Sequence, residues 1–235
     1  MATATEKNYY HVGVLLFPGV DILDFAGPIE VLSHALHNHN PDSPDRMFTF
    51  DTIARTSLIR AANCLTLKVD VLLDEARKCL SQYDILIVPG GPPSVIQLLA
   101  ESSIPEVQLI RAYASLPATL NPQRPRILFS ICTGALLVGA TGLLSGLTVT
   151  THHRALDTLQ QLCARFGGKD RKLPEVVFKR YVDGGFLEEN SLRVITAGGV
   201  SSGLDASFYL VRLLTDSEMV SFISRVMEYD WKQLN

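Results

Sequence analysis

The sequence predicts an α/β fold in which a mainly parallel sheet is covered by helices on both faces. Short apolar runs alternate along the chain with segments of helical periodicity. Several of these runs end at Pro-Gly or Gly-Gly, the residues that commonly close a strand. At 235 residues the chain can bury a substantial core, and we expect one domain over 1–235. Its core is expected at about 10–216, with a helical tail over 217–235.

The first half of the chain predicts three buried strands, over 11–17, 47–54 and 83–91. Residues 58–71 alternate in polarity and favour a hairpin. Apolar residues at helical spacing predict a helix that starts near Pro28. Short helices are expected over 73–80, 95–100 and 105–114. A polar, proline-bearing loop is expected over 116–125.

The second half continues the alternation. We expect strands over 126–131 and 147–151, followed by a strand pair over 176–185 and 191–199 that is joined near 183–190. The expected helices span 133–140 and 154–167, and the tail from 204 to 231 is mostly helical. In a parallel sheet, functional groups collect beyond the carboxyl ends of the strands. The strand ends at Asp21/Asp24, Gly90-Gly91, Cys132 and Gly198-Gly199 are therefore candidates for one site.

The composition argues against several classes of protein, among them nucleic-acid-binding and membrane proteins. The hydrophobic fraction is 47% and the net charge is −3, with no basic stripe that would indicate a nucleic-acid partner. No apolar run reaches the roughly 20 residues of a membrane span, and the first ten residues lack the core of a secretory signal. The four cysteines have no metal-site spacing and are read as free thiols. We expect a cytoplasmic protein with no metal and no organic cofactor.

Cys132 lies where the predicted strand over 126–131 meets the following helix. The stretch "SICTG" (130–134) has the design of the G-x-S-x-G nucleophile elbow, with cysteine replacing serine. Such a turn holds its nucleophile in a sparsely populated backbone conformation. A helix that starts directly after the sulfur is expected to lower the thiol pKa from roughly 8.5. The alternative interpretation is a buried structural thiol.

Other residues could complete this chemistry. The N–H groups of Gly90 and Gly91 could form an oxyanion hole together with that of Thr133. Asp24, expected before the helix near Pro28, could move a proton to and from the sulfur, or it could cap a turn. His152 or His153 could border the site.

Two further carboxylates and three histidines are weaker candidates for the site. Asp21 is expected in a solvated loop, and Glu30 could reach the site or lie on the surface. The remaining candidates are read as surface residues; they are His34, His37 and His39.

Four segments, in order, resemble the DJ-1/PfpI superfamily. They are "VGVLLFPGVDILDFAGPIEVL", "YDILIVPGGPPSV", "SICTGALLVGATGLLSGLTVTTHH" and "ITAGGVSSGLDASFYLV". The resemblance covers residues 11 to about 216 and implies a flavodoxin-like sandwich, a cysteine nucleophile and a homodimer. Within the superfamily the sequence is most similar to the isocyanide (isonitrile) hydratases, which share "LDxxGP", "CTG" and "TTH". His153 stands where that pattern has tryptophan.

The resemblance implies hydration of an isonitrile to an N-substituted formamide through a thioimidate on the cysteine. It assigns catalytic roles to Cys132, Asp24 and Thr133. It also implies that the substrate is contacted by Gly90, Gly91 and His152. The partner is then a small-molecule electrophile. Two alternatives stay open: a glyoxalase or aldehyde-hydratase activity on reactive carbonyls, and a non-catalytic redox or ligand sensor that uses the same cysteine.

Overall fold

A computed structural model describes residues 7–101, 103–119, 124–168, 171–187 and 191–233. Strands and helices alternate along most of this length, as the sequence predicts. The strands are β1 (Tyr10–Leu15), β2 (Phe48–Ala54), β3 (Leu58–Ala61), β4 (Leu65–Lys68), β5 (Val71–Leu72), β6 (Ile85–Val88), β7 (Ile127–Ile131), β8 (Thr148–Val149), β9 (Glu175–Val176), β10 (Tyr181–Leu187) and β11 (Leu192–Ala197). The helices are α1 (Ile22–Ser33), α2 (Leu73–Ala76), α3 (Pro93–Leu99), α4 (Pro105–Ala114), α5 (Gly134–Gly139), α6 (Leu156–Phe166), α7 (Ser202–Leu214) and α8 (Ser217–Val226).

Seven strands form the central sheet in the order β10-β11-β7-β6-β1-β2-β5. All neighbouring pairs are parallel except β10 and β11, which run antiparallel at one edge. Every residue of β6 and β7 is buried, because helices cover both faces of the sheet centre. The predicted α/β class with a mainly parallel, flavodoxin-like sheet is therefore confirmed. Within the described ranges, no helix has the length and apolar character that a membrane span requires.

Helix α1 corrects one prediction. It begins at Ile22, so Pro28 lies inside the helix instead of near its start. Proline fits a helical φ and costs mainly the hydrogen bond to the carbonyl four residues earlier, which here belongs to Asp24. Packing against α7 and β2 holds the helix together despite that loss. As a result, Asp24 lies within the first turn of α1, where a helix favours negative charge.

The segments around β8 and β9 correct a second prediction. Residues 176–185 do not form one strand, because β9 pairs with β8 in a small separate sheet and only β10 joins β11. The connection between β10 and β11 includes 188–190, which lie outside the described residues. Residues 73–80 likewise divide into α2 and a single 3₁₀ turn over Leu80–Gln82. The predicted hairpin is present as the antiparallel pair β3-β4, and the loop expected over 116–125 is described only in part.

Four neighbouring parallel strands, β11, β7, β6 and β1, position the candidate site. Their carboxyl ends lie along one edge of the sheet. The residues that follow these ends are Gly198, Cys132, Gly90 and the turn before Asp24. From the sequence, these groups are expected to converge on one rim if the strands are parallel and adjacent, and the strand order meets both conditions.

Candidate active site

Cys132 occupies a sharp turn between β7 and α5 with a φ of +55°, a conformation that side-chain-bearing residues rarely adopt. Its N–H is shared between the carbonyl oxygens of Ala197 and Gly198, each 3.0 Å away. Its own carbonyl accepts a hydrogen bond of 2.8 Å from the hydroxyl of Thr151. These contacts tie the turn to the ends of β11 and β8. The predicted nucleophile elbow is therefore present.

Gly134 allows this turn to pack against β6. A Cβ atom at this position would lie 2.1 Å from the carbonyl oxygen of Val88, far inside van der Waals contact. Any side chain here would push α5 away from the strand. The glycine of "CTG" is thus a steric requirement of the elbow.

The backbone N–H groups of Thr133 and Val200 and the Thr133 hydroxyl act on the Cys132 sulfur, and each lowers the pKa of its thiol. Val200 follows Gly198-Gly199 at the end of β11 and has a φ of +36°. The sequence does not reveal this donor, because a backbone N–H is present whatever the residue type. The only signal was the strand end at "ITAGG". The two N–H groups can stabilise negative charge as it develops on the sulfur.

Asp24 is fully buried beside Cys132. Its Oδ2 accepts a hydrogen bond of 3.0 Å from the Gly90 N–H, whereas Oδ1 has no partner of standard geometry among the described residues. Burial, reinforced by the charge of Asp21, raises the pKa of the Asp24 carboxyl to about 7, against the opposing effects of the Gly90 N–H and the Cys132 thiol. Asp24 can therefore both accept and return a proton near neutral pH.

The thiol pKa contradicts the sequence-based expectation. Burial, with the neighbouring Asp24 carboxylate as a second cause, raises the pKa of Cys132 to about 12. The hydrogen bonds to the sulfur oppose this rise but do not overcome it. Only 6% of Cys132 is exposed, and α5 is a short helix of six residues, so solvent and helix dipole contribute little. The thiol accordingly rests in its protonated form.

Thr133 is held by Gly91. Its hydroxyl donates to the Gly91 carbonyl at 2.8 Å and accepts from the Gly91 N–H at 2.9 Å. The Gly90 N–H is likewise engaged, by Asp24. The expected oxyanion hole at Gly90 and Gly91 is thus corrected: these two donors position Asp24 and Thr133, and the donors that face the sulfur belong to Thr133 and Val200.

His152 lies beside the elbow, with its ring packed against Gly199 and 4.2 Å, between ring centroids, from that of His153. Its Nδ1 accepts a hydrogen bond of 3.3 Å from the Arg154 N–H. Burial, followed by the neighbouring positive charges of His153 and Arg154, lowers the pKa of His152. No hydrogen bond joins it to Cys132 or Asp24. Its place is in the wall of an adjoining cleft.

That cleft has a volume of about 510 Å³. It is bounded by the turn after β11, by the segment around His152, and by the chain before β10. The lining residues are Thr151, His152, His153, Phe178, Lys179, Arg180, Gly198, Gly199, Val200, Ser201 and Ser202. Cys132 itself is not part of the lining, but two lining residues contact it: the Gly198 carbonyl accepts a hydrogen bond from the Cys132 N–H, and the Val200 N–H acts on the Cys132 sulfur. A second cavity, of about 310 Å³, touches Thr133 and has Ile96 and Leu136 in its wall.

The other candidate residues fall outside this arrangement. Glu30 is exposed and pairs with His34 at 3.1 Å, so it belongs to the surface. Asp21 is the N-cap residue of α1 and donates its N–H to the Gly90 carbonyl at 2.9 Å, so it belongs to the support of the site.

The sequence model of the DJ-1/PfpI family matches residues 10–212. This chain belongs to the DJ-1/PfpI family. It is 29% identical over 218 residues to the isonitrile hydratase of Pseudomonas putida, covering 93% of this chain and 78% of that protein. An uncharacterised protein from the cpoL 5′ region of Streptomyces lividans is 30% identical over 157 residues, covering 66% of this chain and 95% of that protein.

Solved structures of DJ-1/PfpI proteins have the same fold. A ThiJ/PfpI family protein from Pseudomonas syringae superimposes with a TM-score of 0.70 at 20% identity, covering 96% of this chain and 77% of its own. DJ-1 of Schizosaccharomyces pombe gives 0.65 at 18% identity, covering 94% of this chain and all of its own. Drosophila melanogaster DJ-1beta gives a TM-score of 0.66 at 16% identity, covering 95% of this chain and all of its own. At these identities the likeness concerns the fold.

Proposed function

We propose that this DJ-1/PfpI protein hydrates an isonitrile, R–N≡C, to the formamide R–NH–CHO without a cofactor. The observation behind the proposal is a buried thiol beside a buried carboxyl group of nearly neutral pKa. The similarity to the isonitrile hydratase of Pseudomonas putida supports the same reaction class. The "CTG" motif of the isonitrile hydratase pattern also supports the proposal, since Thr133 follows the nucleophile and is hydrogen-bonded to Gly91.

In the first step, the sulfur of Cys132 attacks the terminal carbon of the isonitrile. The Asp24 carboxylate takes the thiol proton as the S–C bond forms, because the free thiol is a weak acid in this buried site. The same proton is then delivered to the attacked carbon. The result is a thioimidate, R–N=CH–S–Cys132, and Asp24 is again a carboxylate. The Val200 and Thr133 N–H groups stabilise negative charge on the sulfur during the attack.

In the second step, water adds to the thioimidate carbon. Asp24 accepts one proton from that water, and the second water proton passes from the hydroxyl of the adduct to the nitrogen of the substrate as the C=O bond forms. The C–S bond then breaks, the proton on Asp24 returns to sulfur, and the formamide leaves. Overall, one isonitrile and one water give one formamide, and no electron is gained or lost. Thr133 orients the sulfur through its own N–H, and Gly91 fixes the Thr133 side chain.

Turnover of phenyl isocyanide, followed as formanilide, tests this proposal. We expect formanilide from the wild-type protein and none above background from Cys132→Ala. Cys163→Ala is the matched control, because Cys163 is also a buried free thiol but lies in α6, away from the elbow. Equal activity of Cys132→Ala and wild type would overturn covalent catalysis. Lactate formation from methylglyoxal, with no formanilide, would instead support the carbonyl activity.

A further inference from the structure

The cleft beside the elbow is lined by cations and lacks lining carboxylates within the part of the chain that the structure describes. Lys179 and Arg180 contribute positive charge, and Ser201 and Ser202 contribute hydroxyl groups. The environment lowers the pKa of His152, which keeps its imidazole neutral at pH 7. The permanent charge of the cleft therefore comes from the lysine and the arginine.

The two cations are not equivalent. The Arg180 Nε–H is paired with Asp205, a fully buried carboxylate that does not line the cleft. Asp205 also accepts hydrogen bonds from the Tyr229 hydroxyl and the Lys232 N–H, so this pair is part of the fold. Lys179 is exposed, and its side chain has no ion pair among the described residues. Lys179 is thus the cation available to a ligand.

The cleft shares a wall with the nucleophile. The turn after β11 gives the Gly198 carbonyl to the Cys132 N–H and the Val200 N–H to the Cys132 sulfur. A molecule whose reactive carbon lies at the sulfur therefore has this cleft beside it. Phe178, 76% exposed, adds an apolar ring to the same lining. His153, which stands where the isonitrile hydratase pattern has tryptophan, is also part of this lining.

We propose that this cleft binds the anionic end of the substrate, so that the isonitrile attacked by Cys132 carries a carboxylate on an aryl or similarly planar group. The carboxylate pairs with Lys179, and the ring packs against Phe178. Asp21, whose charge acts on His152 and Asp24, is not part of the lining and leaves the cleft cationic. This inference rests on the proposed function only for the isonitrile as the reacting group. The binding of a carboxylate in the cleft is independent of that function.

Calorimetric titration of the full chain with 4-formamidobenzoate, and with uncharged formanilide for comparison, tests the cleft without any turnover. We expect tighter binding of the carboxylate, and about fivefold weaker binding of it to Lys179→Glu. Formanilide should bind both proteins equally. Rising salt should weaken the carboxylate alone, because the Debye length shortens. Lys68→Glu is the matched control: it changes net charge equally but lies on exposed β4, and it should leave both affinities unchanged.

Three results would overturn the cleft proposal. They are equal affinity for the two compounds, no effect of Lys179→Glu, and an equal effect of Lys68→Glu. A kinetic comparison separates this proposal from the proposed function. With 4-isocyanobenzoate, Lys179→Glu should raise KM with kcat unchanged, whereas phenyl isocyanide should show no change. Absence of turnover with both isonitriles would overturn the hydratase activity, while the titration would still decide the anion site.

Discussion

The Asp24 carboxyl group and the Cys132 thiol lie together inside the protein, each with a pKa raised by burial. The reactive state is the one in which the two groups hold a single proton between them, because attack requires the sulfur to lose its proton and the carboxyl group to deliver one. With the Asp24 pKa at about 7 and that of Cys132 at about 12, this one-proton state predominates between these two limits. Below the lower limit, both groups are protonated.

The pH dependence of turnover follows from this pairing. We expect kcat/KM for phenyl isocyanide to rise about tenfold per pH unit below the Asp24 pKa of about 7 and to level off above it. Asp24→Asn should be at least about 100-fold less active, since it removes the proton acceptor, and should lack this rise. A rate profile from pH 5 to 9 checks both. A wild-type rate that falls through this range would contradict the assignment.

The same carboxyl group should influence stability. Its folded pKa, about 7, is above the ordinary value of 3.8, so the neutral form is favoured in the folded protein. Below pH 4, the neutral Asp24 carboxyl makes its full contribution to the free energy of unfolding. This contribution, at most about 4 kcal/mol, is lost as the pH rises through 7. Urea unfolding at pH 5 and pH 8 should show this loss for wild type and a smaller one for Asp24→Asn. An equal pH effect in both proteins would contradict it.

Thr133 offers a test of positioning. Thr133→Val keeps the shape but leaves the Gly91 N–H and carbonyl without their partner, at a cost of about 1–3 kcal/mol in unfolding free energy. We expect kcat/KM to fall about tenfold, because Gly91 and the adjacent Gly90 N–H that holds Asp24 would shift. Thr133→Ser retains the hydroxyl and should stay near wild type. A serine variant as impaired as the valine variant would show that the methyl group, not the hydroxyl, matters.

The sequence predicted the parts of the site that depend on residue type. Cys132, Gly134 and the strand ends were recognisable because an elbow needs small residues and parallel strands share an edge. The start of α1 was misplaced because Pro28 was read as a boundary, although the surrounding apolar spacing outweighs it. The thiol pKa and the Val200 donor could not be predicted, since burial and backbone direction arise only from tertiary packing.

Val200 allows the backbone donor to be separated from its side chain. Its φ of +36° is unfavourable for valine and readily adopted by glycine. Val200→Gly keeps the N–H that bonds the Cys132 sulfur, so we expect activity within about twofold of wild type and stability equal or higher by up to about 1 kcal/mol. Steady-state kinetics and urea unfolding check this. A large loss of activity would show that the valine side chain itself contributes to the site.

Gly134 and Gly139, at the two ends of α5, provide a matched pair of variants. A Cβ at Gly134 would meet the Val88 and Pro89 carbonyl oxygens at 2.1 and 2.8 Å, which are backbone atoms of the turn after β6 and cannot move alone. A Cβ at Gly139 would meet chiefly the flexible end of Leu159 at 2.9 Å. Gly134→Ala should therefore cost about 3 kcal/mol or more in unfolding free energy. Any folded protein should have little activity, because the elbow would move away from Asp24.

Gly139→Ala should change the unfolding free energy by less than about 1 kcal/mol, since alanine favours the helix while Leu159 gives way. Its activity should remain close to wild type, because the strained turn at Cys132 is untouched. Urea denaturation and formanilide production on both variants separate the two positions. If Gly134→Ala were as stable and active as Gly139→Ala, α5 could shift from β6 without disturbing the nucleophile, and the close contact at Val88 would not be what fixes the elbow.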